Sequence, residues 1–282
     1  MSAILASLSP NHGSFAGVVP GAGGYPPLIG QVQYAQGERS ARLCYLLPLD
    51  AADAPGFPEL LDTLARKAGE WGAFNLLAEL DEHSPLFVVL RQAGFAVYAW
   101  QRICSLLDPQ EEGRAYSGCW QPVWSEDEIA IRSLYQNLVP PLVQSAEALI
   151  SQRRQGFVYR QDGDVLGYIE VTYGPHGIYL YPLIHPTVEG VAACLKGLLI
   201  HLEPLLGRPV YLTVPSYQPW LETALVDLQQ EEAPRQALMV KHLAQVQRVL
   251  QPLPLHARIE KQQPEATVPM VHHMANPHEN GG

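Results

Sequence analysis

Cysteines, cations and long apolar runs are scarce in this sequence, and each scarcity excludes a class of protein. The four cysteines, Cys44, Cys104, Cys119 and Cys194, have neither the pairing of a disulfide framework nor the spacing of a metal site. Reduced thiols in a cytoplasmic protein are therefore expected. No apolar run reaches the roughly 18 residues of a membrane span, and the first residues lack the basic and long apolar segments of a signal peptide. Neither a membrane protein nor a secreted one is expected.

The charge is acidic, with 18 Lys and Arg against 28 Asp and Glu and a formal net charge of −10. A nucleic-acid partner is not expected, because such a partner is bound through a basic patch. An acidic surface suits a small-molecule amine, a protein amine or a basic protein partner. The 282 residues, 47% of them apolar, are enough for two domains of ordinary size with a sizeable core.

The first part of the chain alternates between strand and helix patterns after a glycine-rich leader at residues 13–30. Two apolar runs separated by turn residues predict a hairpin, and the helical spacing of leucines and alanines between 60 and 68 predicts a one-sided helix. In order, the predicted elements are strands at 28–35 and 41–49, a helix at 57–71, a strand at 74–80, a helix at 85–92 and a strand or strand pair at 95–107.

The second part repeats the order hairpin, helix, strand, helix, strand, which indicates an internal duplication. The pattern from Ser125 to Glu128 is a capping box that opens a helix. The predicted elements are a strand at 121–124, helices at 125–138 and 141–150, strands at 157–160, 165–173 and 178–185, a helix at 188–206, a strand at 210–214, a helix at 219–228 and a strand at 237–243. A polar segment at 108–117 predicts the boundary between units at 1–110 and 118–250, and residues 251–282 read as a flexible tail.

Three local phrases accompany this order of elements. Asp162–Tyr168 reads as a D-G-x-apolar-apolar-G hairpin, Leu183–Pro186 as an apolar pair followed by H-P, and Leu90–Phe95 as L-x-x-x-G-F. Together they resemble the GCN5-related N-acetyltransferase (GNAT) superfamily over roughly residues 28–107 and 118–245. The resemblance implies an α/β fold with a mixed sheet in two tandem GNAT-like units, the first of them truncated at its N-terminal helices.

Acetyl-CoA is the cofactor that the resemblance implies, held by the second unit between the strands at 178–185 and 210–214. In the family, a [QR]-x-x-G-x-[GA] motif at the start of the next helix turns backbone N–H groups toward the pyrophosphate. Here Glu189 replaces the donor, while Ala192 and Cys194 replace the small residues. The candidate residues for binding the pantetheine arm and the phosphates are Leu183, Ile184, His185, Gly190, Val191, Ala192, Ala193 and Cys194.

The family's proton donor is also replaced. Many members have a tyrosine five residues before the Phe of G-F, and that position is Leu90 in the first unit and Leu225 in the second. Leucine transfers no proton. The candidate substitutes are Tyr217, just after the strand at 210–214, as an acid, and Glu170, on a neighbouring strand, as a base.

Three functions follow from these observations. The first is an acyl-CoA-dependent N-acyltransferase in which proximity does most of the catalysis. The second is a catalytically silent GNAT-fold module that binds a small molecule or a protein in the same cleft. The third is an assembly partner that docks through its tail and acidic surface. The fold does not decide among them.

Overall fold

A computed structural model describes residues 12–106, 120–147, 155–202, 208–226 and 234–243 of the chain. The predicted boundary at 108–117 and the predicted tail at 251–282 lie outside the described residues, so the predicted unit limits stay a prediction. Below, residues 12–106 are called the first half and residues 120–243 the second half.

The described residues form eleven strands and six α-helices. The strands are β1 (His12–Val19), β2 (Leu28–Ala35), β3 (Ser40–Leu47), β4 (Asn75–Asp81), β5 (Ala96–Leu106), β6 (Trp120–Pro122), β7 (Gly156–Gln161), β8 (Asp164–Tyr173), β9 (Ile178–Ile184), β10 (Val210–Pro215) and β11 (Arg235–His242). The helices are α1 (Phe57–Glu70), α2 (Leu86–Gln92), α3 (Glu128–Leu138), α4 (Pro141–Ala146), α5 (Val191–His201) and α6 (Trp220–Leu225).

All the strands belong to one mixed sheet, in the order β1-β2-β3-β4-β11-β5-β10-β9-β8-β7-β6. If β6 is left aside, β7 to β11 take the same places counted from one end of the sheet as β1 to β5 take counted from the other end. The two halves also exchange a strand, because β11 lies between β4 and β5 while β5 lies between β11 and β10. Two tandem units of the same topology thus share a single sheet.

The helices of the first half cover one face of its strands and those of the second half cover both faces of theirs, while Ala146 at the end of α4 also packs against Leu77 of the first half. In the first half, Leu60, Leu61 and Leu64 of α1 are fully buried against the sheet. In the second half, α5 and α6 lie in one core, and α3 and α4 cover the opposite face. Among the described residues of the first half no helix corresponds to α3 and α4, which agrees with a unit truncated at its N-terminal helices.

The uncovered face of the first half exposes an apolar row across three neighbouring strands. Val18 is paired with Ile29, and Ile29 with Leu47. Their exposed fractions are 62%, 36% and 45%. The alternate residues Leu28, Gly30 and Leu46 are buried on the other face, because successive side chains of a strand point to opposite faces.

The predicted glycine-rich leader at 13–30 was wrong for its first part, which is strand β1. Gly13 packs against Trp71, just after α1, and Gly17 packs against Leu60 of α1, where there is little space for a Cβ. A Cβ at Gly13 would lie 3.1 Å from the Trp71 ring, and one at Gly17 would lie 3.1 Å from Leu60 Cδ1. These glycines interrupt the apolar alternation by which a strand is recognised in a sequence.

The predicted start of the helix at 188 was three residues early. Gly190 has a φ of 64° and is the N-cap of α5, so the helix begins at Val191. The other boundaries that fall on described residues agree with the predicted ones within a few residues, whereas the predicted ends at 107, 150, 206 and 228 lie outside the described residues. Among the described residues no helix is long and apolar enough to cross a membrane.

Candidate functional site

Each half contains one pair of parallel strands that begin hydrogen-bonded and then diverge. In the second half, β9 and β10 pair from Ile178 with Val210 to Leu180 with Leu212, and both strands continue beyond that point. This is called the second splay. In the first half, β3 and β4 pair from Ser40 with Asn75 to Arg42 with Leu77, which forms the first splay.

A cleft of about 830 Å³ lies beside α3 and α4 and takes its lining from both halves. It is called the shared cleft. Its polar lining includes Glu38, Arg39, Ser40, Arg42, Glu79 and Gln101 from the first half and Tyr135, Glu147, Tyr168, Glu170, Tyr181, Thr213, Tyr217 and Gln236 from the second. The carboxylates among these residues outnumber the guanidinium groups, so the cleft is acidic.

Buried hydrogen bonds fix the end of α4 to the first half and so hold one wall of the shared cleft in place. Ser40 Oγ donates to the Ala146 carbonyl oxygen at 2.7 Å. Asn75 Nδ2 donates to the Ser145 carbonyl oxygen and to Ser40 Oγ, both at 3.2 Å. Because Ser40 and Asn75 are buried at the starts of β3 and β4, these bonds make the cleft a joint product of the two halves.

Glu147 is a carboxylate residue of the cleft that two tyrosine hydroxyls contact. The Tyr98 hydroxyl donates to its Oε1, and the Tyr135 hydroxyl donates to its backbone oxygen at 2.5 Å. Burial raises the pKa of Glu147, although the Tyr98 hydrogen bond and the charge of Arg42 act in the opposite direction. Burial, together with Glu147, likewise raises the pKa of Tyr98. The carboxyl group therefore sits where its charge is poorly solvated.

An ion pair lies at the rim of the cleft. Arg42 Nη1 is 2.8 Å from Glu79 Oε1, and the two side chains are 53% and 42% exposed. An exposed pair of this kind contributes little to stability. The pair instead sets the local charge at a partly exposed part of the cleft lining, which a ligand would meet.

Both predicted catalytic residues line the shared cleft, and Leu183 lines it with them. Burial, then the nearby Glu147 and Tyr135, raise the pKa of Tyr217 well above its ordinary value. Tyr217 and Glu170 are thus brought to one site, on the turn after β10 and on β8. Their roles as acid and base stay a prediction.

The predicted cofactor-binding residues lie at the end of β9, directly after it, and at the start of α5. The His185 backbone N–H donates to the Leu166 carbonyl oxygen of β8 at 2.8 Å. Val191 and Cys194 are buried, and the Trp120 indole donates to the Cys194 carbonyl oxygen at 2.8 Å. None of Ile184, His185 and the residues from 190 to 194 lines the shared cleft. Their contact with a cofactor also stays a prediction.

A buried glutamine bridges the second splay. Gln218 is 0% exposed; its Oε1 accepts from the Ile184 backbone N–H at 2.9 Å, and its Nε2 donates to the Pro182 carbonyl oxygen at 2.8 Å. The Trp220 indole donates to the Ile184 carbonyl oxygen at 3.1 Å. Three backbone groups of β9 on the side of the splay are thus bonded to side chains of the chain itself.

Sequence reasoning missed Gln218, Glu147 and Tyr98 as site residues. Gln218 stands in a turn after a predicted strand, where a polar residue is ordinary. Glu147 lies at the end of a predicted helix, where nothing distinguishes it from a solvated carboxylate. The available signal was Tyr98, whose hydroxyl stands between apolar residues in the first part of β5, because a tyrosine hydroxyl away from water usually has a partner.

The fold is that of the GNAT superfamily, in two tandem units. A GCN5-related N-acetyltransferase from Kribbella flavida is similar, with a TM-score of 0.53 and 16% identity, covering 85% of this chain and 93% of that protein. A functionally unknown conserved protein from Staphylococcus epidermidis ATCC 12228 has a TM-score of 0.50 and 11% identity, covering 73% of this chain and 85% of that protein. No family model matches the chain, and no curated protein matches it either.

Proposed function

We propose that this protein is a GNAT-fold binding module that takes a small organic amine into the shared cleft and transfers no acyl group through its second half. The observation that carries the proposal is the half-buried Glu147 carboxyl group, held by Tyr98 at a wall that both halves build. The first function expected from the sequence, an acyl-CoA-dependent N-acyltransferase, is the second candidate.

An ammonium group is the ligand that complements this wall. Burial disfavours the charge of Glu147, and a cation placed beside it would compensate for the lost hydration. Glu170 adds negative charge in the same cleft, and four of its lining residues are tyrosines, a residue type whose ring attracts cations. A volume of about 830 Å³ is in the range of small-molecule sites.

Two features of the second half weigh against acyl transfer there. Glu189 stands one residue before the Gly190 cap of α5, where a phosphate would meet negative charge rather than a donor. Tyr217, the candidate acid, has a raised pKa. A more weakly acidic hydroxyl is a poorer proton donor to a leaving thiolate.

The acyltransferase candidate is favoured by one observation: Tyr217, Glu170 and Leu183 line the same cleft. In that reaction the amine nitrogen attacks the thioester carbon, loses a proton and releases the thiol. Release of free thiol from acetyl-CoA in the presence of an amine panel separates the two candidates, because a binding module releases none above the background rate.

Calorimetry with propylamine, putrescine and spermidine tests the binding proposal. Glu147→Gln keeps the shape and an acceptor for Tyr98 but removes the charge, so amine affinity should fall by about tenfold or more. Glu126→Gln removes the same charge from an exposed position at the start of the second half and should leave affinity unchanged. Equal affinities of the wild type and Glu147→Gln, or no amine binding by the wild type at about 10 mM, would contradict the proposal.

A further inference from the structure

We infer that Gln218 and Trp220 occupy the second splay in place of an extended amide ligand, so that the second half is closed to the pantetheine arm of acyl-CoA. The inference goes beyond the proposed function, because it concerns backbone hydrogen bonds of β9 rather than the charge of Glu147. It also reverses the expectation that the second half holds the cofactor.

The hydrogen bonds of β9 show which of its backbone N–H and C=O groups face the second splay. The His185 N–H is directed to β8, where it donates to Leu166. Alternate residues of a strand direct their backbone groups to opposite neighbours, so the groups of Pro182 and Ile184 are directed to the β10 side. Pairing with β10 stops at Leu180. Without another partner, these groups would be available to a ligand that adds to the strand.

The Gln218 amide reproduces the bonds of a parallel strand. A residue of such a strand donates its N–H to one residue of its neighbour and accepts from the residue two further along. Gln218 donates to the carbonyl oxygen of Pro182 and accepts from the N–H of Ile184, on either side of Leu183. The Trp220 indole then bonds the remaining group, the Ile184 carbonyl oxygen. An amide of a pantetheine arm would compete for these same atoms.

The bridge is built into the turn that joins β10 to α6. The Gln218 backbone N–H donates to the Pro215 carbonyl oxygen at 3.0 Å, and its carbonyl oxygen accepts from Leu221 at 3.1 Å. Leu221 is itself fully buried. Because the backbone on both sides of Gln218 is held, the side chain leaves the splay only if these contacts are rearranged. The residues present therefore do not fit the cofactor that the fold implies.

Binding of pantetheine and of acetyl-CoA to the full chain tests the inference. Pantetheine carries the amides without the phosphates, so it isolates the contact with β9. We expect the wild type to bind neither compound at about 1 mM and Gln218→Ala to bind pantetheine at least about tenfold more tightly. The amide resonance of Ile184 should shift on binding to the variant. Gln31→Ala is the matched control, because Gln31 is a buried glutamine on β2 that donates to Ser14 Oγ, away from β9.

Two further variants cover the case in which Gln218→Ala does not fold. Gln218→Asn keeps an amide that is one methylene too short to bridge both groups, and Trp220→Phe removes only the indole donor. Pantetheine or acetyl-CoA binding by the wild type with a shift at Ile184, or no gain in any folded variant, would overturn the inference. Putrescine binding measured on the same variants should be unchanged, so failure of the proposed amine site would be seen separately.

Discussion

The two splays have the same pairing of strands but different turns after them. In the second splay, the turn after β10 returns Gln218 and Trp220 to the backbone of β9. In the first splay, the turn after β4 contains His83, whose side chain is 86% exposed, and Ser84, whose hydroxyl accepts from the Leu86 N–H at 3.3 Å. The same arrangement of diverging strands thus occurs twice in the chain. In the second splay, side chains from the following residues bond the free backbone groups of β9, whereas the turn after β4 in the first splay places different side chains.

The two halves also differ in how their sheet faces are covered. The helices α3 and α4 bury Val158, Tyr168 and Leu183 of the second half. The corresponding face of the first half exposes the row of Val18, Ile29 and Leu47. Apolar side chains in such a row contribute little to the free energy of unfolding, because they remain in contact with water when the chain is folded.

The largest expected effect contrasts the same substitution on these two faces. Ile131→Ala, at a fully buried position of α3, should lower the free energy of unfolding by about 2–5 kcal/mol, since it removes buried carbons and leaves a cavity. Ile29→Ala, on the exposed row, should cost less than about 1 kcal/mol. Urea unfolding followed by tryptophan fluorescence measures both. Similar losses for the two variants would mean that the row is covered in solution.

The next effect concerns the bridge across the second splay. Gln218→Ala should lower the free energy of unfolding by about 1–3 kcal/mol, because the Ile184 N–H and the Pro182 carbonyl oxygen lose their partners. Gln31→Ala should cost less, since the Ser14 hydroxyl it leaves is only half-buried. Urea unfolding of the two variants decides this, and an equal loss would show that the splay admits water freely.

A smaller effect is expected from the pH dependence of Glu147→Gln. A carboxyl group with a raised pKa in the folded state binds its proton more tightly there, so the wild type loses stability as the pH rises from the ordinary glutamate pKa of about 4.3 through the folded value. Glutamine does not titrate. The variant should match the wild type in acid and exceed it above that window, by about 1.4 kcal/mol for each pH unit between the unfolded and folded pKa values.

Thermal unfolding at a series of pH values from about 4.3 upward measures this difference. Glu126→Gln is the control, because its carboxylate is exposed and its removal should not change the slope. A variant that becomes less stable than the wild type as the pH rises would show that Glu147 is stabilised as the anion.

The smallest expected effect is the change in acetyl-CoA affinity when the phosphate-binding motif at the start of α5 is restored. Glu189→Arg, Ala192→Gly and Cys194→Gly together restore the donor and the small residues of the family motif. With the splay bridged, acetyl-CoA affinity should change less than about twofold. The same triple variant combined with Gln218→Ala should gain more than Gln218→Ala alone. A gain from the triple variant by itself, measured by calorimetry, would mean that the bridge does not exclude the cofactor.

Much of the fold could be predicted from the sequence because local patterns carried it. The strand at 28–35 and the helix at 57–71 were predicted from apolar spacing, and the structure has β2 at Leu28–Ala35 and α1 at Phe57–Glu70. The first strand was missed because glycines replace its apolar residues beneath α1.

The site could be predicted only in part, since its decisive contacts join residues far apart in the chain. Tyr217 and Glu170 were singled out from their neighbourhood in the family pattern, and both line the cleft. Ser40, by contrast, bonds a residue 106 positions away, and Gln218 reaches back 34 positions to Ile184. No periodicity in the sequence encodes such pairs.

The exchange of strands has a consequence for how the protein is made. The place between β4 and β5 is filled by β11, which is synthesised only after the whole second half has been translated. At about 5–20 residues per second, the first half leaves the ribosome on the order of ten seconds before its missing strand exists. During that interval β4 and β5 present unpaired edges, which are aggregation-prone. A chain truncated before Arg235 would keep those edges for its lifetime, whereas a separately supplied second half could close them.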